Sequence, residues 1–194
     1  MTLAPGIGFA DPVRDAAHAF RGLLDAMARP GSVRRLPCPP PPPPLSPAAA
    51  AVALTLSDAD APIWLAPGVR SRETAAFLRF HTSAAPADDA GAAAFVLGRW
   101  AALRGLDGLS EGTPEYPDRS TTLIVEVDGL AEGRGATLEG PGVPGARRLH
   151  VEGVDDAFWA LSARNRLSYP LGLDVILTCG ETVAALPRTV RADV

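Results

Sequence analysis

Apolar residues recur at helical spacing from position 13: Val13, Ala17, Phe20, Leu24 and Met27 form one apolar stripe. Arg14, Asp15, His18, Arg21 and Asp25 fall on the other side. Asp11 can cap this helix, Pro12 fits its first turn, and "ARPG" at 28–31 ends it. The segment "SVRRL" reads as a short strand. Ser46-Pro47 opens a second helix, "AAAAVALTLSD", and Ser71 caps a third that holds Phe77 and Leu78 and ends near "RFHT". "IWLA", "AAFVL" (93–97), "TTLIVEV" (121–127) and "ATLE" (136–139) predict strands, the last after a Gly-rich connection. "VDDAFWALSARNRL" (154–167) predicts a helix with acidic residues in its first turn. "LDVILTC" and "TVAALP" predict two final strands.

Helices and strands alternate through most of the chain, which implies an α/β layered domain. Only Gly180-Glu181 separates the last two strands, and so short a link joins antiparallel neighbours. The sheet is therefore expected to be mixed. The tract "PCPPPPPPLSP" (37–47) cannot join a sheet ladder and is expected to be a stiff surface connection; a ligand for a proline-recognition module is the sharper alternative.

Composition narrows the chemistry. The chain has 194 residues, 47% of them hydrophobic, enough for one domain with a real core. The net charge of −4 argues against a general nucleic-acid binder. All 18 basic residues are arginine. Without lysine there is no Walker-type phosphate loop and no Schiff base to pyridoxal phosphate (PLP). Two cysteines, Cys38 and Cys179, point to a reducing compartment. "MTLAPGIGFADPVRDA" has neither the basic nor the apolar region of a leader, and "AAAAVALTL" is too short to span a bilayer. These features predict a soluble, cytoplasmic protein.

Four features invite a chemical role, and each has a structural alternative. Cys179, next to Gly180-Glu181, could be a nucleophile, but it precedes a hairpin turn and no helix N-terminus follows to lower its pKa. A buried structural thiol is the alternative. "GPGVPG" (140–145) matches G-x-G-x-x-G, yet its prolines and the following "ARRLHVEG" do not open a helix; a Gly/Pro turn is expected, with Arg147 and Arg148 near enough to attract phosphate. Asp58 and Asp60 could hold Mg²⁺ through carboxylates or shape the turn before Pro62. His81 sits at a helix C-terminus, as a base, a phosphate ligand or a cap. No His/Cys cluster has zinc spacing and no G-x-S-x-G appears.

Several phrases, in order, carry a family likeness: "PVRDAAHAFRGLLDAMARPG", "LTLSDADAPIWL", "FLRFHT", "TTLIVEVDGL", "LEGPGV" and "PLGLDVILTCGETVAALPRT". The chain resembles the PhnH family, subunits of the bacterial carbon–phosphorus lyase system, over nearly its whole length. The resemblance implies a single domain over 1–194: a three-layer α/β/α sandwich with a mixed sheet, similar to the large domain of PLP-dependent transferases but without PLP. It implies a non-autonomous subunit that supports transfer of an alkylphosphonate onto the ribose C1 of ATP with release of adenine. It further implies partnership with the other core subunits (PhnG, PhnI and PhnJ). An exposed strand edge or an apolar face could pair with a second copy when those partners are absent, so a homodimer is expected of the isolated chain; charge and hydropathy lead to no expected nucleic-acid or membrane partner. The complex uses MgATP; no cofactor or metal is expected on this chain, and two cysteines cannot ligate an iron–sulfur cluster. No catalytic residue is carried over. Arg21, Asp58, Asp60, His81, Asp174, Glu181 and Arg188 are matched polar positions expected on a partner surface or in a ligand pocket. The competing expectations are a stand-alone enzyme using Cys179 or Asp58/Asp60, and a homodimeric scaffold.

Overall fold

A computed structural model describes residues 6–194; residues 1–5, on which part of the leader argument rests, lie outside the described residues. The elements are α1 (Pro12–Ala28), β1 (Arg34–Arg35), α2 (Pro47–Leu56), β2 (Ile63–Leu65), α3 (Arg72–Thr82), β3 (Phe95–Arg99), α4 (Trp100–Leu103), β4 (Thr122–Glu126), β5 (Gly129–Glu139), β6 (Arg147–Glu152), α5 (Asp156–Ser168), β7 (Asp174–Cys179), β8 (Thr182–Leu186) and β9 (Arg191–Asp193). The fold is α/β with a mixed sheet and, among the described residues, five α-helices.

The helix starts follow from their caps. The Arg14 N–H donates to Asp11 Oδ1 at 3.0 Å, Ala49 N–H to Ser46 Oγ at 3.2 Å, and Thr74 N–H to Ser71 Oγ at 3.0 Å. Each cap satisfies a donor that the first helical turn leaves without a partner.

The main sheet has the order β1-β8-β7-β4-β3-β2. β2, β3, β4 and β7 run parallel; β8 runs antiparallel to β7, and the edge strand β1, antiparallel to β8, runs in the direction of the parallel strands again. Leu123, Ile124 and Val125 of β4 are all buried, as are Val175 to Thr178 of β7. Consecutive buried residues alternate between sheet faces, so the central strands are covered on both sides. Gly180 and Glu181 form the predicted turn, with Cys179 opposite Thr182. Gly180 has φ +57°, and the positive angle at the first central position is that of a type II′ turn.

A second sheet, ordered β6-β5-β9, is the main departure from the sequence expectation. The "Gly-rich connection" before "ATLE" belongs to β5, which runs eleven residues, and its register against β6 shifts between Glu132 and Ala136. β6 is the "RRLHVE" that follows the glycine motif. That motif is a turn with no helix. Gly142 within it has φ +79°, and a Cβ there would come within 2.2 Å of the Ala28 carbonyl oxygen. The glycine allows the turn to close against the end of α1.

The proline tract connects β1 to α2 without helix or strand, and Pro39 and Leu45 are buried, so it lies against the body of the protein. Among the described residues no helix is long and apolar enough to cross a membrane.

α1 turns a different face inward from the stripe that its spacing picks out. Ala19, Leu23 and Ala26 are buried, whereas Val13, Phe20 and Leu24 are 84%, 50% and 58% exposed. The physical reason is close approach to α2, whose residues Ala48 to Ala53 are all buried. Small side chains let two helices approach closely, and the larger residues of α1 are left outside that contact.

Candidate functional site

The structure does not gather the matched polar residues at one place. Asp174 and Arg188 meet at the amino end of β7, while Glu181 lies in the turn at the other end of the hairpin, about 16 Å away along five strand residues. Glu181 pairs with Arg35. The turn carbonyls are also used: Leu36 N–H donates to the Glu181 oxygen at 3.0 Å and Ala48 N–H to the Gly180 oxygen at 2.8 Å. Asp58 Oδ1 accepts from the Asp60 and Ala61 N–H groups, both at 2.8 Å, which is the side-chain turn role. His81 Nε2 lies 2.8 Å from the Gly6 carbonyl oxygen, and its ring meets Phe77 and Phe80 edge-on. That contact ties the N-terminal segment to α3. Arg21 is exposed on α1.

Asp174 and Arg188 form a densely hydrogen-bonded pair. Arg188 Nη2 donates to Asp174 Oδ2 at 2.6 Å and to Ser120 Oγ at 2.5 Å. Its Nη1 donates to the Pro117 carbonyl at 2.6 Å, and its own N–H to Asp174 Oδ1 at 2.8 Å. The guanidinium thus joins the end of β8, the start of β7 and the segment leading into β4.

Beside this junction lies a hollow of about 430 Å³ lined by Glu139, Arg166, Tyr169, Arg188 and Arg191. Three arginines and a phenol are the residue types that grip phosphate oxygens. Their charge is largely spent already. Arg188 is held by Asp174 and Arg191 by Asp193, and Glu139 adds a carboxylate. Of these three arginines, only Arg166 has no ion-pair partner among the described residues. A shallower apolar shelf of about 520 Å³ shares Tyr169, Arg188 and Thr189 with it and extends to Leu24 and Met27 of α1.

The hollow is also on the wrong side for an ordinary α/β active site. Such sites form beyond the carboxyl ends of parallel strands, where the strand order reverses. Here the parallel strands lie in chain order, β2, β3, β4, β7, and do not reverse. The hollow adjoins their amino ends. The carboxyl side carries ion pairs instead: Arg99 with Asp128 at 2.6 Å, and Arg104 with Asp155 at 2.7 Å. The indole N–H of Trp100 and then Arg104 hold the Asp155 carboxyl below its ordinary range.

Cys179 sits at that carboxyl side in surroundings that oppose a thiolate. Partial burial pushes its pKa up, and Asp128 and Glu152 push in the same direction. Cys38 is pushed from 9.0 to about 11, first by burial and then by Glu181. Two units correspond to about a hundredfold less thiolate at pH 8 than for an ordinary thiol. Iodoacetamide should therefore alkylate native Cys38 at pH 8 at about a hundredth of the rate in urea-unfolded chain, rising roughly tenfold per pH unit. A native rate equal to or above the unfolded rate would contradict this environment. Below pH 9.0 the thiol is neutral in both states. As pH rises towards about 11, the unfolded chain loses a proton that the folded chain keeps, so Cys38 makes stability fall with pH in that window.

Asn165 lies outside the residues that the sequence singles out. It is 4% exposed; its amide donates to the Leu173 carbonyl at 2.8 Å, and its oxygen accepts the Leu173 N–H at 3.0 Å. It fixes α5 to the approach of β7, one residue before Arg166 of the hollow. A polar residue within "ARNRL" gives no signal of this, since the partner is a backbone eight residues on.

These features define a class: α/β proteins whose parallel strands are flanked by an antiparallel hairpin, with an arginine-lined hollow at the strands' amino ends. Residues 7–193 match the family described as "Bacterial phosphonate metabolism protein (PhnH)". The chain belongs to the PhnH family. It is 43% identical over 189 residues to the "Alpha-D-ribose 1-methylphosphonate 5-triphosphate synthase subunit PhnH" of Rhizobium meliloti (strain 1021), which covers 95% of this chain and 94% of that protein. A Stutzerimonas stutzeri protein carrying the C-P lyase subunit name HtxG is 37% identical over 78 residues, 40% of each chain.

Proposed function

We propose that this chain is the PhnH-type subunit of a carbon–phosphorus lyase core complex. There it supports transfer of an alkylphosphonate onto the ribose C1 of ATP with release of adenine. The observation that carries the reading is the 43% identity, spread over 95% of the chain, to a relative named as a subunit of that synthase. The geometry supports a non-autonomous role. Cys179 is held protonated, Asp58 is committed to a turn, and the arginines of the hollow are mostly neutralised within the chain.

The finer fold reading is a single three-layer α/β/α domain similar to the large domain of PLP-dependent transferases. Burial of β4 and β7 on both faces supports it, and the absence of lysine from the sequence removes the anchor PLP would need. MgATP is a substrate of the whole complex, and the partners are PhnG, PhnI and PhnJ, in the cytoplasm. When isolated, the chain is read as a homodimer, because an open strand edge such as that of the second sheet can pair with a second copy when the partners are absent. Light scattering checks that: a monomer mass at all concentrations refutes it.

The test is co-expression with the three partners and affinity capture. The expected result is a stable complex that contains this chain. Failure to co-purify, under conditions where the same partners retain the Rhizobium meliloti relative, would sink the reading.

A further inference from the structure

α1 carries two apolar stripes, and the chain's own core uses one. Ala16, Ala19, Leu23 and Ala26 are spaced three, four and three residues apart and turn inward. Val13, Ala17, Phe20, Leu24 and Met27 are spaced four, three, four and three apart; the first four are exposed and Met27 is half-buried. An alternation of three and four is the seam a second helix packs against. Leu24 and Met27 lead into the apolar shelf beside Tyr169 and Pro187, so the seam belongs to a larger surface.

The edge of the seam says what kind of helix fits. Arg14 and Arg21 follow Val13 and Phe20 by one residue and line the solvent side, both exposed. Neither guanidinium has an ion-pair partner among the described residues, because the carboxylates of α1 are used elsewhere. Asp11 caps the helix, Asp15 accepts the Asp11 N–H at 3.0 Å, and Asp25 holds Arg29 and Arg34. A second copy of this chain is a poor occupant. An antiparallel two-fold pairing sets the arginine flank against itself. A parallel pairing sets it against the inward flank, which the core of the chain already covers.

We propose that the outer face of α1 docks an amphipathic helix of a companion subunit, whose apolar seam lies on Val13, Phe20 and Leu24 and whose acidic flank meets Arg14 and Arg21. This rests on the subunit reading above and names the surface that reading requires. Bare apolar residues at these positions are a cost to a free chain and an anchor in a complex.

The experiment co-expresses the full chain with its three companion subunits and compares wild type with Phe20→Glu, Leu24→Glu and the double variant Arg14→Glu/Arg21→Glu. All four positions are exposed, so each variant should melt within about 2 °C of wild type. Wild type is expected to be retained. Phe20→Glu and Leu24→Glu should bind at least about a hundredfold more weakly, and the double arginine variant about tenfold more weakly with little remaining salt dependence. Ala17→Cys should cross-link to a companion segment with apolar residues at helical spacing and acidic neighbours. Retention of Phe20→Glu at wild-type strength overturns the surface and leaves the subunit reading intact. Failure of wild type itself to associate overturns both. Full binding by the double variant, or loss of a free homodimer in Phe20→Glu, overturns the acidic-helix occupant.

Discussion

Arg188→Ala should lower the free energy of unfolding by about 3 kcal/mol, the size expected when one member of a largely buried ion pair is removed. Arg188 and Asp174 are only 12% and 18% exposed. Alanine leaves Asp174 with a single backbone donor, and it strands the Pro117 carbonyl and the Ser120 hydroxyl that the guanidinium served. For a chain of this size the melting temperature should fall by roughly 6–12 °C. Arg191→Ala is the control, since Arg191 and Asp193 are about half exposed and such pairs contribute about 1 kcal/mol or less. Calorimetry that finds the two variants equally stable would refute a bracing role for Arg188.

Asn165→Ala carries the second large effect, about 2–4 kcal/mol. It removes both partners of the buried Leu173 peptide, whose carbonyl and N–H then face each an unmade bond. Asn165→Asp should also destabilise despite its matching shape. It keeps an acceptor for the N–H but sets a carboxylate oxygen against the carbonyl. Denaturant unfolding of both variants checks this, and a wild-type midpoint for either would contradict the bridge. Hydrogen exchange at Leu173 should speed up in both.

These residues also show what the amino-acid sequence could reveal. The hairpin at Gly180-Glu181 was legible because two residues permit only one strand geometry, and the caps at Asp11, Ser46 and Ser71 because their chemistry is local. The second sheet was not. Its long strand contains the glycine-rich "GLAEGRGA", and its edge β9 is three residues with no apolar pattern. For α1, spacing alone marked the larger of two stripes, while burial followed the smaller because α2 lies close against it. Family likeness points to both Asp174 and Arg188, but they are fourteen residues apart and their pairing depends on the hairpin between them. The same likeness marked Glu181, His81 and Asp58, which the fold scatters to separate local roles.

In "LTCGE" the thiol beside a carboxylate is raised, not activated, and the turn after it serves to hold β1 and α2 through its carbonyl oxygens.

The decisive measurement is adenine release from MgATP and methylphosphonate by the proposed partners PhnG, PhnI and PhnJ, purified, with and without this chain. No release is expected from this chain alone, weak or absent release from the three partners, and at least about a tenfold gain when the chain is added. Release by this chain alone, or full release by the partners without it, would contradict a non-autonomous subunit.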